Sequence, residues 1–355
     1  MHTGNKLSMT DIAKLAGVSV ATISRVINQK GGYSKKTGDA VRQVIKDTGF
    51  VANTNAKSLR TNLSQTIGVI VPDITNEFFA KLIREIVNWL LEYNYSVFVC
   101  DSNEDEDKEA LFFHNLIAKK VDGIMYISGK SDVTRLETRY QIPILYIDRS
   151  PKHAANLVHS DNFSGGHLAG QTLIAGGCQY PVMIRDSRKM STVDQRYKGF
   201  HQALVEAGCP KERPDFFKAE VSYESIQAKI PWILEHFPAV DGIFCSNDTM
   251  ALGALHGLVE SGKRVPEDVQ LIGFDGSTTA RHAKPQITTI AQDVRGLAES
   301  ACRQLMELIS GESAIAGAAV IPVKLSEGET TMIWSSEPDG QETKVFFRPK
   351  VNPLR

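Results

Sequence analysis

Residues with complementary hydrogen-bonding chemistry are spread through the second part of this 355-residue chain, most of them directly after apolar runs. They are two asparagines, two phenylalanines, two aspartates, two arginines and a glutamine: Asn76, Phe78, Phe79, Asp148, Arg149, Arg196, Asn247, Asp275 and Gln292. Carboxylates and amides exchange hydrogen bonds with hydroxyl groups, arginine forks hold two oxygens at once, and aromatic faces cover the apolar edges of a sugar. The set is therefore suited to binding a polyol. Each residue alone also fits a structural ion pair or a core position, so the hypothesis depends on their meeting in one place.

The apolar runs that precede these residues predict buried parallel β-strands. They read TIGVIVP, YSVFVC, DGIMYI and PILYID in a first series, and YPVMIR, DGIFCS and VQLIGFD in a second. Amphipathic helical segments alternate with them, which predicts two doubly wound α/β lobes. Ligands of such sheets bind at the carboxyl ends of the strands, where the polar set is expected to meet. The run ITTIAQD and the helical segment LAESACRQLMELISG are expected to return to the first lobe.

Residues 8–28 predict a helix-turn-helix, in which one helix braces the DNA backbone and the next enters the major groove. Ser8 is expected to cap the first helix in a capping box with Asp11. Ile12, Leu15 and Ala16 should form the apolar stripe of this helix. A three-helix bundle that does not bind DNA is the alternative interpretation.

The second predicted helix would present its N-terminal outer side to the bases, and Arg25 is the strongest candidate for a guanine contact. The candidate DNA contacts on this helix are Ser19, Val20, Ala21, Thr22, Arg25 and Asn28. Ser34 is expected to cap a third helix, where free amides together with Thr37 could hold a phosphate.

Charge is distributed unevenly along the chain. Residues 1–62 hold ten Lys/Arg against three Asp/Glu, which leaves 30 basic and 38 acidic residues of the totals of 40 and 41 for the remainder. A basic segment suits a phosphate backbone, whereas an acidic body would be repelled by it. The five cysteines are widely spaced without a CxxC pair, so buried thiols and no metal are expected. No nucleophile, zinc, P-loop or dinucleotide motif is present, which argues against an enzyme and against a cofactor.

The segments DIAKLAGVS, ATISRVIN, SKKT and NTNAKSLR resemble the LacI/GalR family of bacterial transcription regulators, and the similarity extends from about Ser8 to about Thr331. This resemblance implies a hinge helix at residues 53–60. Leu59 would wedge into a minor-groove step, and Asn53 and Ala56 would fall on further hinge positions. The family commonly has proline before that asparagine, whereas this chain has Ala52.

The body also resembles the periplasmic ribose-binding protein, whose sugar contacts match the nine polar and aromatic residues above. A furanose-type sugar is implied: ribose, or a fructofuranosyl sugar such as sucrose. The segment IRDSRKMST lacks the aromatic side chain that usually closes over the sugar, so a ligand larger than ribose or of another shape stays open.

The resemblance implies a small all-α helix-turn-helix head plus an α/β periplasmic-binding-protein-like body of two doubly wound parallel-sheet lobes. The expected divisions are a DNA-binding domain at 1–52, a hinge at 53–65, a body at 66–331 and a C-terminal extension at 332–355. Within the body, lobe 1 would comprise about 66–160 and 291–331, and lobe 2 about 161–290.

The expected function is that of a cytoplasmic homodimeric repressor of carbohydrate genes on twofold-symmetric operator DNA, controlled by a small sugar. A sugar phosphate or a phosphorylated carrier protein is an alternative signal, although no cation beyond Arg149 and Arg196 is evident for a phosphate. A sugar receptor without a DNA role is the alternative of another class. No membrane span is expected, because no apolar run reaches about 18 residues.

Overall fold

The computed structural model describes residues 7–50, 63–127, 140–149, 156–188, 190–209, 214–311, 317–336 and 342–345. The chain divides into two compact units, Met1–Ser64 and Gln65–Arg355. The predicted hinge, with Asn53, Ala56 and Leu59, lies outside the described residues.

The described residues of the first unit form the helices α1 (Met9–Ala16), α2 (Val20–Ile27) and α3 (Lys35–Thr48). The predicted capping box is present, because Ser8 accepts from the backbone of Asp11 and the Asp11 carboxylate accepts from the Ser8 amide. The helices enclose a small core around Ile12, Ile23 and Val41, all fully buried.

Leu15 does not belong to this core, since its side chain is 58% exposed. The apolar stripe of α1 passes instead through Met9, Ile12, Ala13 and Ala16. At 100° per residue, position 15 lies about a third of a turn from the centre of that stripe, which is why the prediction for Leu15 was wrong.

The second unit is built on two six-stranded sheets. The strands of the first sheet are β1 (Thr66–Val71), β2 (Ser96–Asp101), β3 (Gly123–Tyr126), β4 (Ile144–Ile147), β5 (Asn156–Ser160) and β11 (Gly317–Ile321), in the spatial order β11-β5-β4-β3-β1-β2. The strands of the second sheet are β6 (Pro181–Asp186), β7 (Phe216–Ala219), β8 (Gly242–Cys245), β9 (Gln270–Asp275), β10 (Thr288–Gln292) and β12 (Val323–Ser326), in the order β12-β10-β9-β8-β6-β7. All neighbours are parallel except the β10–β12 pair. The predicted fold class of two doubly wound lobes is confirmed.

The helices that accompany these sheets in the described part of the chain are α4 (Glu77–Glu92), α5 (Glu106–Ala118), α6 (Asn162–Ala175), α7 (Ser191–Glu206), α8 (Tyr223–His236), α9 (Asp248–Glu260), α10 (Thr278–His282) and α11 (Val294–Ser310). The helix α11 returns to the first lobe as expected, because Leu297 and Leu305 pack in one core with Leu82 of α4 and Ile67 of β1. The chain therefore crosses between the lobes after β5, after β10 and after β11. No helix of the described part is long and apolar enough to span a membrane.

The ITTIAQD segment corrects one expectation, because β10 pairs with β9 in the second sheet rather than returning to the first. Its buried threonines are satisfied there, since Thr289 Oγ1 donates to the carboxylate of Asp248 at 2.6 Å. Residues 323–331 were also predicted to belong to the first lobe, but they lie in the second lobe. There β12 pairs with β10, and Thr330 Oγ1 donates to Leu271 O at 2.6 Å. Part of the predicted C-terminal extension forms an antiparallel pair, β13 (Ile333–Ser336) with β14 (Glu342–Val345).

Strand β2 corrects another expectation, because it is not buried. It lies at the edge of the first sheet, and Phe98 and Val99 are 45% and 38% exposed. An apolar run predicts a strand, but its place in the sheet is set by pairing with distant segments.

Candidate functional sites in the two units

The nine residues predicted to bind a polyol line one cleft of the second unit, with a volume of about 220 Å³. Side chains of both lobes contribute to this cleft, at the carboxyl ends of the strands. Asp148 and Arg149 follow β4, Asp275 ends β9, and Gln292 ends β10. The strand-end rule therefore placed these groups correctly relative to one another.

Two asparagines enter the cleft from helix starts. Asn76 caps α4 and accepts from the Phe78 amide at 2.9 Å, and Asn247 caps α9 and accepts from the Met250 amide at 2.8 Å. A cap uses the side-chain oxygen and fixes the rotamer, so the amide nitrogen is presented as a donor. Capping and lining the cleft are thus performed by the same side chains.

The aromatic wall consists of Phe78 and Phe79, whose ring centroids are 5.2 Å apart with an edge-to-face tilt. Arg149 lies over Phe79, with Cζ 5.4 Å from the ring centroid. This contact orients the guanidinium along the wall.

Both aspartates of the predicted set are held in unusual backbone conformations, with φ of +65° at Asp148 and +118° at Asp275. Such conformations cost of order 1–3 kcal/mol in a residue with a side chain and persist only where the surroundings enforce them. Asp148 is only 6% exposed, and its Oδ1 is buried with no hydrogen-bond partner among the described residues. Arg149 Nε is also buried with no hydrogen-bond partner among the described residues, and it lies 4.0 Å from Asp148 Oδ2. Buried polar atoms in native proteins are nearly always paired, so these two atoms have hydrogen-bonding capacity that none of the described residues uses.

Arg196 occupies the floor of the cleft and is 6% exposed. Its Nε donates to Asn162 Oδ1 at 2.8 Å and its Nη1 donates to Ser246 O at 2.6 Å, while the guanidinium lies 3.5 Å from the Phe274 ring centroid. These contacts make Arg196 a fixed charge beneath the ligand space.

Asp275 lies in the same buried charge network. Gln292 Nε2 donates to its Oδ1 at 2.8 Å, and Ser160 Oγ donates to Gln292 Oε1 at 2.6 Å. Burial raises the pKa of Asp275 to about 8, although the charge of Arg196 opposes the shift. Burial also raises the pKa of Asp248 to about 6, although Thr289 and Ser277 stabilise its ionised form.

Nine further residues line the cleft that the sequence did not single out: Asp73, Asn103, Glu104, Asp186, Arg188, Thr192, Val193, Val221 and Ser246. Arg188 is a third arginine of the cleft, but it is paired with acidic side chains and is therefore not the unpaired cation that a phosphate would need. The segment IRDSRKMST, which lacks an aromatic residue, contributes an ion pair to the cleft. In this pair the Arg188 guanidinium donates to both oxygens of Asp186 at 2.6–2.9 Å. Asp186 and Arg188 come at the end of β6, so the strand-end rule could have found them.

Among the contacts that join the lobes beside the cleft are two made by acidic side chains of the first lobe. Arg188 Nη1 of the second lobe lies 2.6 Å from Glu104 Oε2 of the first. Glu77 of α4 accepts from the Thr278 amide at 2.6 Å, at the start of α10. Burial would raise the pKa of Glu77, but hydrogen bonds from Lys81 and Thr278 outweigh it and lower the pKa to about 2.

In the first unit, α2 presents a largely apolar outer side. Ser19, Val20, Ala21 and Arg25 are exposed, and Val20 is 42% exposed. Ser19 Oγ accepts from the Thr22 amide at 3.1 Å, and the two hydroxyls are 3.0 Å apart. Asn28 Nδ2 donates to Ser24 O at 2.7 Å, so the Asn28 side chain stabilises the end of α2.

The start of α3 is as predicted. Ser34 Oγ accepts from the Thr37 amide at 3.1 Å, and the exposed Lys35 and Lys36 occupy the first turn. Basic side chains and free amides at a helix start are suited to a phosphate.

Two family models match the chain. The model described as "Bacterial regulatory proteins, lacI family" matches residues 8–53, and the model described as "Periplasmic binding protein-like domain" matches residues 171–331. The ribose operon repressor of Halalkalibacterium halodurans is 34% identical over 324 residues, covering 91% of this chain and 97% of the relative. The chain belongs to the lacI family.

Other members of the lacI family are similar over nearly the whole chain. The sucrose operon repressor of Streptococcus mutans is 33% identical over 324 residues, covering 91% of this chain and 98% of the relative. The lac repressor dimer bound to operator and the anti-inducer ONPF has a TM-score of 0.81 at 26% identity and covers 92% of this chain and 99% of that one. A LacI family regulator from Enterococcus faecium with bound ribose has a TM-score of 0.68 at 28% identity, covering 75% and 98%.

This lacI-family protein is a DNA-binding transcriptional regulator and not an enzyme. The alternative of a sugar receptor without a DNA role is set aside, because the helix-turn-helix unit and the two-lobed body are matched together in the same relatives.

Proposed function

We propose that this lacI-family regulator acts in the cytoplasm as a repressor of carbohydrate genes, and that a small neutral sugar bound in the cleft controls its affinity for DNA. The observation that carries the proposal is a pair of buried atoms at the cleft wall, the acceptor Asp148 Oδ1 and the donor Arg149 Nε, which have no hydrogen-bond partner in the part of the chain that the structure describes. A sugar hydroxyl is both donor and acceptor, so one hydroxyl group can satisfy both atoms. The ribose and sucrose repressors among the relatives support a sugar.

The remaining cleft residues have roles that follow from their geometry. The amide nitrogens of Asn76 and Asn247 would donate to ring or hydroxyl oxygens, and Phe79 would cover the apolar edge of the sugar. Arg196 and Gln292 would hold Asp275 in place as a further hydrogen-bonding group.

Operator binding would use the exposed side of α2, with Arg25 on a guanine and Val20 and Ala21 as methyl contacts, while Ser34 and Thr37 meet a phosphate. Ser19 and Thr22 would support this helix start, and Asn28 its end. Leu59, with Asn53 and Ala56, would form the minor-groove hinge, so Leu59→Ala is expected to weaken operator binding while sugar binding is retained.

A homodimer would read the two halves of a symmetric operator. The position of β2 supports a body-to-body interface, because β2 is an edge strand among the described residues and leaves Phe98 and Val99 exposed. The sugar would favour one orientation of the lobes, and the Glu77–Thr278 and Glu104–Arg188 contacts would stabilise the orientation seen in the structure. Because the ligand shifts the population of lobe orientations, it would release the operator.

The proposal is tested by calorimetry and thermal unfolding of the full chain with D-ribose, D-fructose and sucrose, together with binding to operator duplexes selected from random DNA. At a hundredfold excess over Kd, a bound sugar is expected to stabilise the protein by about 2.7 kcal/mol and to weaken operator binding. Asp148→Asn is expected to lose at least about tenfold in sugar affinity with operator binding intact, because one carboxylate acceptor is removed.

The matched control for this test is Asp107→Asn, an exposed aspartate of α5 outside the cleft, which should bind like the wild type. If no neutral sugar stabilises the wild type or changes its operator affinity, the proposed function is wrong.

A further inference from the structure

Glu104 is the point at which arginines of both lobes meet. Its Oε1 accepts from Arg149 Nη1 of the first lobe at 3.0 Å, and its Oε2 lies 2.6 Å from Arg188 Nη1 of the second lobe. All three side chains line the cleft, and Glu104 and Arg149 are only 14% and 12% exposed. One carboxylate is thus shared by two guanidinium groups that face the ligand space.

The backbone is built to hold Glu104 in this position. Asn103 and Glu104 have φ of +49° and +57°, so two consecutive residues with side chains adopt the left-handed conformation. The turn is fixed on its far side, since Asp105 caps α5 and accepts from the amides of Asp107 and Lys108 at 2.9 and 3.0 Å. Strained turns of this kind are retained where they serve a site.

Each arginine of the cleft has at least one partner within the chain, although Arg149 Nε has none among the described residues. Arg188 is held by Asp186 as well as by Glu104, and Arg196 donates to Asn162 and Ser246. A phosphate that entered the cleft would need at least one guanidinium fork, and Glu104 already occupies the Nη1 atoms of Arg149 and Arg188. It would also be repelled by the Glu104 carboxylate itself.

We propose that Glu104 is a specificity-determining residue that makes the cleft accept uncharged sugars and reject their phosphate esters; this inference rests on the proposed sugar-binding function. Hydroxyl groups can hydrogen-bond to the outer edges of the Glu104–Arg149 and Glu104–Arg188 pairs without breaking them. A phosphate ester cannot, because its charge competes directly with the carboxylate for the same arginines.

The test compares the wild type with Glu104→Gln, which removes the charge and keeps the shape. The probes are inorganic phosphate, D-ribose 5-phosphate and D-ribose, with affinities measured by calorimetry and by thermal unfolding. Glu104→Gln is expected to gain at least about tenfold in affinity for inorganic phosphate and for the ester, since two guanidinium groups are released near the anion. Glu106→Gln, the same change at an exposed position two residues later, is expected to leave both affinities unchanged.

Two more variants separate charge from packing. Glu104→Asp keeps the charge and should still reject the ester, whereas Glu104→Ala should accept it and serves as the second variant if Glu104→Gln does not fold. Equal phosphate and ester affinities in wild type, Glu104→Gln and Glu104→Ala overturn the inference, as does a wild type that prefers the ester to the free sugar. These anion measurements do not depend on which neutral sugar is the effector, so their failure is distinguishable from failure of the sugar panel in the proposed function.

Discussion

Arg25 and Arg196 put the same side chain to opposite uses. Arg25 is exposed on α2, where a guanidinium stays available for a surface that arrives from outside. Arg196 is 6% exposed and is fixed by Asn162, Ser246 and the ring of Phe274. Reading DNA requires a charge that is presented in water, whereas reading a small ligand requires charges that are buried and fully arranged beforehand. The first unit therefore keeps its arginine in solvent, whereas the second unit holds its arginine in a buried network. Substitutions in the second unit should therefore cost more folding stability.

Arg196→Ala is expected to have the largest effect. It leaves the Asn162 and Ser246 acceptors unpaired and removes a buried charge opposite Asp275, so the free energy of unfolding should fall by about 3–5 kcal/mol. Urea denaturation measures this. Arg295→Ala, at an exposed i,i+4 ion pair of α11, is the control and should change stability by less than about 0.5 kcal/mol. Equal stability of the two variants would mean that Arg196 is not the fixed charge of the cleft.

Asp275 should give the cleft a pH dependence that the first unit does not share. Because its pKa is raised to about 8 in the folded protein, above its unfolded value near 3.8, the folded state binds the extra proton between these values. The contribution of Asp275 to stability is therefore present at low pH and is lost as pH rises from about 4 to about 8, by at most about 1.4 kcal/mol per pH unit. Unfolding of wild type and Asp275→Asn at pH 5, 6, 7 and 8 measures the difference. If the free energy of unfolding of the wild type minus that of the variant stays constant or increases with pH, the raised pKa is contradicted.

Arg25→Ala is expected to have the smallest effect on stability of the three. Its guanidinium is exposed, so the free energy of unfolding should change by no more than about 0.5 kcal/mol. Operator affinity should fall by about 1–3 kcal/mol, with relaxed preference at one base pair, as expected for loss of a bidentate guanine contact. Selection of binding sites by wild type and variant shows this directly. A uniform loss over all sequences would identify Arg25 as a phosphate contact instead.

The sequence predicted the residues whose position follows from a local rule. Asp148, Arg149 and Asp275 each come directly after an apolar strand, and Ser8 and Ser19 each precede a short amphipathic helix. Such rules depend on neighbours in the chain, so they need no knowledge of the complete fold.

The errors concern properties set by distant parts of the chain. The sheet membership of β10 depends on its pairing with β9, and the exposure of β2 depends on its place at the sheet edge. Glu104 was missed because it belongs to a polar turn, and only the approach of the two lobes brings it to Arg188.

The first turn of α4 has a consequence for how this regulator can change over evolution. Asn76, Phe78 and Phe79 face the cleft, while Glu77 between them holds the start of α10 in the other lobe. Under the proposed function, neighbouring positions would therefore have separate roles: residues 76, 78 and 79 would recognise the effector, and residue 77 would couple the two lobes. Substitutions at 76, 78 or 79 can adapt the protein to a new nutrient while the contact at 77 is kept. A lineage can thus acquire a new signal without having to rebuild its response.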